Sequence, residues 1–359
     1  MSGASIEFLP RGKVAPLTKL DFQRDGQPGR FDGGVYHSNG EICPLGSQLK
    51  AAYRNEPVMP APAAEEKISG HHFFAGMLQN GHFGHFISES LSRLWAFQCL
   101  DKSFNSAVFY YRDRNTPLAK FAAETIKLIV PEVTIKAVIR PTEFELLAVP
   151  QQLAYSGNGF IIGHPMIRSM LGHLRGKPRN GEEKIYVSRS RLSLGDGGLL
   201  LEDAIERNLA AEGYEVVHPQ ELPVAQQIEK YNAAKHIIFA DGSAIHLYAL
   251  VARPDQKMFV IWRRHVDGVF AWQIRTFDGP RIEGKSCVKE LWVPENSNQG
   301  TVNGRALLDF PHLRSQLMEL GFIGGGQWRD PEDFEFREAL SDLGTRLKWT
   351  FVLHPRAPA

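Results

Sequence analysis

The sequence predicts an α/β protein of two domains, and three observations carry that prediction. Residues 184–262 alternate short apolar strands with helical segments, which is the pattern of right-handed βαβ units in a mostly parallel sheet. Residues 68–155 alternate in the same way, less regularly. The chain has 359 residues, enough for two domains of about 150 to 180 residues each. The most polar stretch, GKPRNGEE at residues 176–183, lies between the two alternating halves and marks the boundary.

Taken in order, residues 1–65 are rich in Gly and Pro, end in PVMPAPAAEEK, and read as an irregular segment adding little to a core. The domain predicted over 66–176 opens with a His-rich stretch and an amphipathic helix within Gly81–Phe97. Ala107–Arg112 then reads as a strand, PLAKFAAETIKLI as a helix, VTIKAVI and FELLAVPQQLAY as two more strands, and Pro165–Arg175 as a helix. The domain predicted over 184–305 begins with strand KIYVSR, helix GLLLEDAIERNLAAEG, strand YEVVHP and helix LPVAQQIEKYNAAK. Strand HIIFA, helix SAIHLYALV and strand KMFVIW follow, so this half resembles a Rossmann-type domain. Gly213 and Pro223 stand where helices stop and start. Residues 306–359 contain helices PHLRSQLMELG and DPEDFEFREALSDLG, predicted to pack across the domains, the second with Asp330 as N-cap and Pro331 at the first helical position.

Composition excludes several classes of function. The residues are 43% hydrophobic and 23% charged with a formal net charge of +1, and no basic stripe of the kind a nucleic-acid binder carries is present. Cys43, Cys99 and Cys287 are far apart and odd in number, so neither a disulfide framework nor a CxxC knuckle is supported. The N-terminus lacks an apolar signal core, and no run of about 18 apolar residues occurs. The expectation is a cytoplasmic protein with no membrane span, which leaves peripheral membrane association open.

The segment GHFGHFISESLSRLWAF concentrates titratable groups. On a helix, His82, His85 and Glu89 share one face near the N-terminus, and glycines 81 and 84 let a ligand approach the backbone. Imidazole titrates near neutral pH, so His85 is the first choice for a general base, with Glu89 as its orienter or as the base itself and His82 as a further candidate. A metal site from His71, His72, His82, His85 and Glu89 is the weaker reading, because HxxHxxxE is not HExxH and matches no zinc signature.

In a doubly wound sheet, ligands bind at the carboxyl ends of the strands. The loop after KIYVSR carries Arg189 and Arg191, which either clamp an anion or form an ordinary surface pair. The loop after HIIFA places Asp241, Gly242, Ser243 and Ala244 at a helix start, where backbone amides hold phosphate. His246 follows within a turn, either as a site residue or as a buried histidine satisfied by a backbone carbonyl. With no GxGxxG and no P-loop, the combination points to a diphosphate held by a helix terminus and arginines.

The blocks HFGHFISESLSRLW, KIYVSRSR and GYEVVHPQELPVAQQIEKYNAAKHIIFADGSAIHLYAL together resemble glycosyltransferase family 61, in the form of bacterial capsular-polysaccharide-type proteins, over roughly residues 70–260. His82 stands where that family commonly has Asn, Asp241 where its closing loop often has His, and Glu202 aligns with the Glu of its R-x-[IL]-x-N-E segment. The resemblance implies a GT-B fold, two facing Rossmann-like domains with a cleft between them, and an inverting mechanism with no obligatory metal or cofactor. It also implies a nucleotide-sugar donor, taken here as a UDP-sugar, and a glycan or glycolipid acceptor in polysaccharide biosynthesis. A noncatalytic glycan- or nucleotide-binding protein on the same fold is the alternative, and a metal-dependent hydrolase built on the His cluster is a third reading.

Overall fold

The computed structural model describes residues 4–21, 27–50, 53–100, 103–111, 117–156, 161–176, 183–265, 267–295 and 300–355. Most of the polar linker at 176–183 lies outside the described residues. The fold is mixed α/β, and the chain forms two compact units. One comprises Met1–Arg175 with Ala249–Val251, the other Gly176–Tyr248 with Ala252–Ala359. No helix among the described residues is long and apolar enough to cross a membrane.

The first unit is built on a six-stranded sheet. Its strands are β1 (Ile6–Ala15), β2 (Gly34–Tyr36), β3 (Glu66–Leu78), β4 (Ser106–Tyr111), β5 (Thr134–Val138) and β6 (Thr142–Pro150), in the order β2-β1-β6-β3-β4-β5. Strands β6, β3, β4 and β5 run parallel, and β1 pairs antiparallel with β6 and β2. Helix α1 (Lys120–Ile129) links β4 to β5 and buries Ala122, Thr125, Ile126 and Ile129.

Three expectations are corrected in this unit. Residues 1–65 are not merely irregular: β1 pairs with β6 from Ile6↔Pro150 to Val14↔Thr142 and buries Leu9 and Val14. Pro10 and Gly12 break its local strand signal, so the pairing comes from a partner over 130 residues away. The His-rich stretch is not a prelude to a helix but the second half of the 13-residue strand β3. In that strand His72 is 3% exposed, with Nδ1 2.8 Å from Ser106 Oγ and Nε2 3.0 Å from the Ser69 carbonyl.

The third correction concerns Gly81–Phe97, which is not one amphipathic helix. An α-turn at Phe83–His85 passes into a π-turn at Phe86–Ser90 and then a 3₁₀ stretch at Leu94–Cys99. Every residue from Phe86 to Ala96 is buried, so no solvent face exists. Ser88 Oγ donates to the Gly84 carbonyl at 2.8 Å and Ser92 Oγ to that of Glu89, bonds that compete with a regular backbone ladder. Pro165–Leu174 is likewise 3₁₀ rather than α.

The second unit has a five-stranded, fully parallel sheet of β7 (Lys184–Val187), β8 (Glu215–Val217), β9 (His236–Ala240), β10 (Lys257–Ile261) and β11 (Ile282–Glu283), in the order β8-β7-β9-β10-β11. The chain direction across the sheet reverses between β7 and β9, which makes their carboxyl ends a topological switch point. The helices are α2 (Glu202–Ala211), α3 (Val224–Ala233), α4 (Ala244–Val251), α5 (Ala271–Thr276), α6 (Phe310–Glu319) and α7 (Asp333–Leu347). Leu313 and Leu317 of α6 join Ile205 and Phe259 in the core. Residues 305–308 and 351–353 are strands of a second, four-stranded sheet, so the region beyond 305 is not helical alone. Helix α7 is capped by Glu332 in a reciprocal box with Glu335, whereas Asp330 accepts from Trp328 Nε1 at 2.9 Å.

Arg93 holds the first unit's inner loops together. It is fully buried, and its guanidinium donates to the carbonyls of Leu45 (2.6 Å), Ser47 (2.8 Å) and Pro150, 5.2 Å from the centre of the Phe74 ring. Replacing it leaves three carbonyls without their donor, and an unmet acceptor in the interior, such as that of Pro150, costs about 1–3 kcal/mol. Arg93→Leu is therefore expected to lower stability by about 3–5 kcal/mol in urea denaturation; a loss under 1 kcal/mol contradicts this role.

Candidate functional site

The His-rich turn builds a charge relay in the first unit. His82 caps the α-turn, its Nδ1 accepting from the His85 amide at 3.3 Å, and the two imidazole rings lie 4.7 Å apart. His85 Nδ1 is 2.8 Å from Glu89 Oε1, while Glu89 Oε2 accepts from Lys50 Nζ at 2.6 Å and Gln79 Nε2 at 2.9 Å. The Glu89 side chain is wholly buried and that of His85 is 36% exposed. Burial by itself drives the Glu89 carboxyl upward, but the His85 hydrogen bond and the Lys50 charge outweigh it and hold the group below its ordinary value. Glu89 is thus an anion that only accepts, so His85 donates from Nδ1 and, when neutral, carries its lone pair on Nε2. That is the arrangement of a general base with a carboxylate orienter.

The sequence brought His82, His85 and Glu89 together and missed Lys50 and Gln79, which reach the carboxylate from other segments. The proposed ligand group of five does not form as a unit, since His72 is engaged inside the sheet with Ser106 and Ser69. Among the described residues, the one group of three possible metal ligands gathered together is Glu7, His37 and Cys43. There the thiol donates to Glu7 at 3.3 Å, and burial pushes it up to about 11.

In the second unit, the loops at the ends of β7, β9 and β10 converge. Glu202, at the start of α2, accepts from the Arg189 amide (2.7 Å), Ser188 Oγ (2.9 Å) and Tyr186 Oη (3.0 Å), and so fixes the loop after β7. Burial raises its carboxyl despite these bonds. Arg189 donates from Nη2 to the Gly197 carbonyl at 2.9 Å and lies against Gly242, where an added Cβ would meet Nη1 at 2.5 Å. Glycine at 242 therefore lets a guanidinium sit on the helix entrance.

Asp241 is completely buried and binds Arg264 bidentately at 2.8 and 2.7 Å, while its carbonyl accepts from Arg263 Nε at 3.2 Å. Arg305 donates to the Leu194 carbonyl and lies so close to Gly198 that a Cβ there would meet its Nη1 at 2.6 Å. Burial and then the like charges of Arg189, Arg264 and Arg305 bring Arg263 down to about 10, against the pull of Asp241. Burial and Arg189 likewise lower Arg305. The Nε atoms of Arg189 and Arg305 are buried and have no hydrogen-bond partner among the described residues. Crowded guanidiniums with unmet donors lie beside the amide end of α4, an arrangement chemically able to hold an anion.

The structure sorts the expected residues of this half. Arg189, Asp241, Gly242 and the start of α4 at Ser243 and Ala244 come together, with Asp241 serving to position arginines. Ser243 contributes no side-chain cap. Arg191 is corrected: it forms an exposed pair with Glu221 at 2.9 Å, the ordinary surface alternative. His246 is buried with Nδ1 2.8 Å from Gln273 Oε1, a side-chain amide rather than the expected backbone carbonyl. Arg263, Arg264 and Arg305 were missed. An RR pair directly after strand KMFVIW was the available signal for two of them; nothing local marks Arg305.

Inorganic pyrophosphate is expected to raise the melting temperature of the protein in a saturable manner, by up to about 2.7 kcal/mol of stabilisation at a hundredfold excess over Kd. Arg305→Gln and Arg263→Gln should each weaken that binding about tenfold or more, the loss of a charge-assisted hydrogen bond, while Arg191→Ala leaves it within about twofold. A wild-type protein indifferent to pyrophosphate in differential scanning fluorimetry contradicts the anion site.

No curated protein matches the chain. Residues 83–259 match the family model described as Glycosyltransferase 61, a span that begins at the α-turn of the His85 relay and ends within β10. It encloses His85, Glu89, Arg189, Glu202, Asp241 and Gly242. The protein is a glycosyltransferase, and residues 83–259, which run across both compact units, are the part that matches this family's model.

Proposed function

We propose that the protein transfers a sugar from a nucleotide-sugar donor, a UDP-sugar, to a glycan or glycolipid acceptor in polysaccharide or glycoconjugate biosynthesis, with inversion at the anomeric carbon. The observation that carries this reading is the His85–Glu89 pair, an imidazole with its Nδ1 proton committed to a buried anion and its ring 36% exposed. In a single displacement, His85 Nε2 takes the proton of the acceptor hydroxyl as that oxygen bonds to the anomeric carbon. The bond from this carbon to the diphosphate breaks, and the electron pair leaves with the nucleoside diphosphate. Glu89 stabilises the imidazolium that forms.

The arginine cluster supports the other half of the reaction. Negative charge building on the departing diphosphate falls to Arg189, Arg263 and Arg305 and to the amides at the start of α4, donors in place before the reaction begins. In this reading the units adopt the GT-B arrangement, with the first serving the acceptor and the second the donor. The reaction needs no metal in this scheme, because guanidiniums supply the countercharge.

His85→Ala is expected to lower turnover by about 10² to 10⁴ while leaving donor affinity within a few-fold of wild type, since a general base makes no ground-state contact with the diphosphate. Glu89→Gln should give a smaller loss if it orients the imidazole. Product formation by chromatography and donor binding by calorimetry read the two effects separately. A folded His85→Ala protein with undiminished turnover overturns the assignment.

A further inference from the structure

A cavity of about 450 Å³ opens in the first unit beside the relay, lined by Ser47–Lys50, Tyr53–Glu56 and Tyr155. Its size falls in the roughly 300–1,000 Å³ range of small-molecule sites. Lys50 belongs both to this wall and to the relay: its Nζ is 2.6 Å from Glu89 and 5.8 Å from the centre of the Tyr53 ring. The cavity therefore adjoins the base through one shared side chain.

The wall is built rather than incidental. Gln152 clamps the Leu49 backbone from both sides, accepting from its amide at 2.7 Å and donating to its carbonyl at 2.9 Å. Asn55 Oδ1 accepts from the Gln48 amide at 3.0 Å, and Arg93 holds the Ser47 carbonyl. Within this fixed frame Gln48 is 3% exposed, its Oε1 accepts from the Met77 amide at 3.2 Å, and its Nε2 has no partner among the described residues.

The chemistry of the lining fits one class of ligand. A pyranose has an apolar C–H face that packs on aromatic rings and an equatorial belt of hydroxyls that needs both donors and acceptors. Tyr53 and Tyr155 supply rings, Lys50 and Arg54 donors, and Glu56 an acceptor. We infer that this cavity is the subsite for one pyranose unit of the acceptor glycan, an inference that rests on the transferase reading above.

Saturation-transfer NMR on the full chain tests it, with methyl β-D-glucopyranoside, methyl β-D-galactopyranoside and methyl N-acetyl-β-D-glucosaminide as probes and UDP measured in parallel. Wild type is expected to transfer saturation to at least one glycoside, and Tyr53→Ala and Tyr155→Ala each to weaken that binding about tenfold, the scale of one aromatic contact. UDP binding should be unchanged in both variants, and a circular dichroism spectrum and melting temperature equal to wild type certify that the first unit is folded. The inference is overturned if no glycoside binds wild type, or if both variants bind the glycosides as wild type does. Failure of the transferase reading looks different: glycosides bind in a Tyr53-dependent way while wild type transfers no sugar from any nucleotide-sugar offered with them.

Discussion

The buried carboxylate of Glu89 is the constraint on which the first unit's chemistry depends. An ionised group taken fully out of water costs several kcal/mol unless its oxygens are matched by donors. Here three donors from different segments meet that demand: His85 four residues before it, Lys50 from the loop ahead of β3, and Gln79 from just beyond the end of β3. The same bonds that stabilise the anion fix where each segment stops. They also leave His85, the last residue of the α-turn, a single choice of tautomer, and the π-turn at Phe86–Ser90 carries Glu89 within the buried segment.

The second unit reaches the opposite charge balance by similar means. Two buried carboxylates, Asp241 and Glu202, hold loops rather than ligands. Glu202 binds the loop after β7 through its amide and hydroxyl groups, and Asp241 anchors Arg264 and supports Arg263. Burial raises the Glu202 carboxyl from its ordinary value even though it accepts three hydrogen bonds. Positive charge is concentrated at the switch point of a parallel sheet, where the donors proposed to meet the diphosphate are already fixed in place.

How much of this was legible follows from the range of the interactions. The parallel half was readable because each βαβ unit is local and its strands are continuous apolar runs. The His82–His85–Glu89 relation was readable because it spans less than two turns, although the backbone connecting it is not the regular helix the spacing implied. Strand β3 was not readable: Gly70 and Gly76 at φ +96° and +95°, together with two histidines, hide its alternation, and Arg93 and Gln48 pack where a side chain at 76 would sit. Lys50, Gln79 and Arg305 belong to the sites through contacts between distant segments, and no local pattern encodes such contacts. Arg191 was overread because two arginines two residues apart in one loop need not face the same way; one lies on Gly242 and the other pairs with Glu221.

The most direct test of the central claim is the protonation of one ring. Nitrogen-15 NMR of the histidine side chains in the full protein, with the His85 signals assigned by their loss in His85→Gln, reports which nitrogen carries the proton in the neutral state. The buried Glu89 anion predicts protonated Nδ1 and unprotonated Nε2. A neutral His85 protonated at Nε2 instead would mean that Glu89 does not accept from it, and the account of the relay as an oriented base would be wrong.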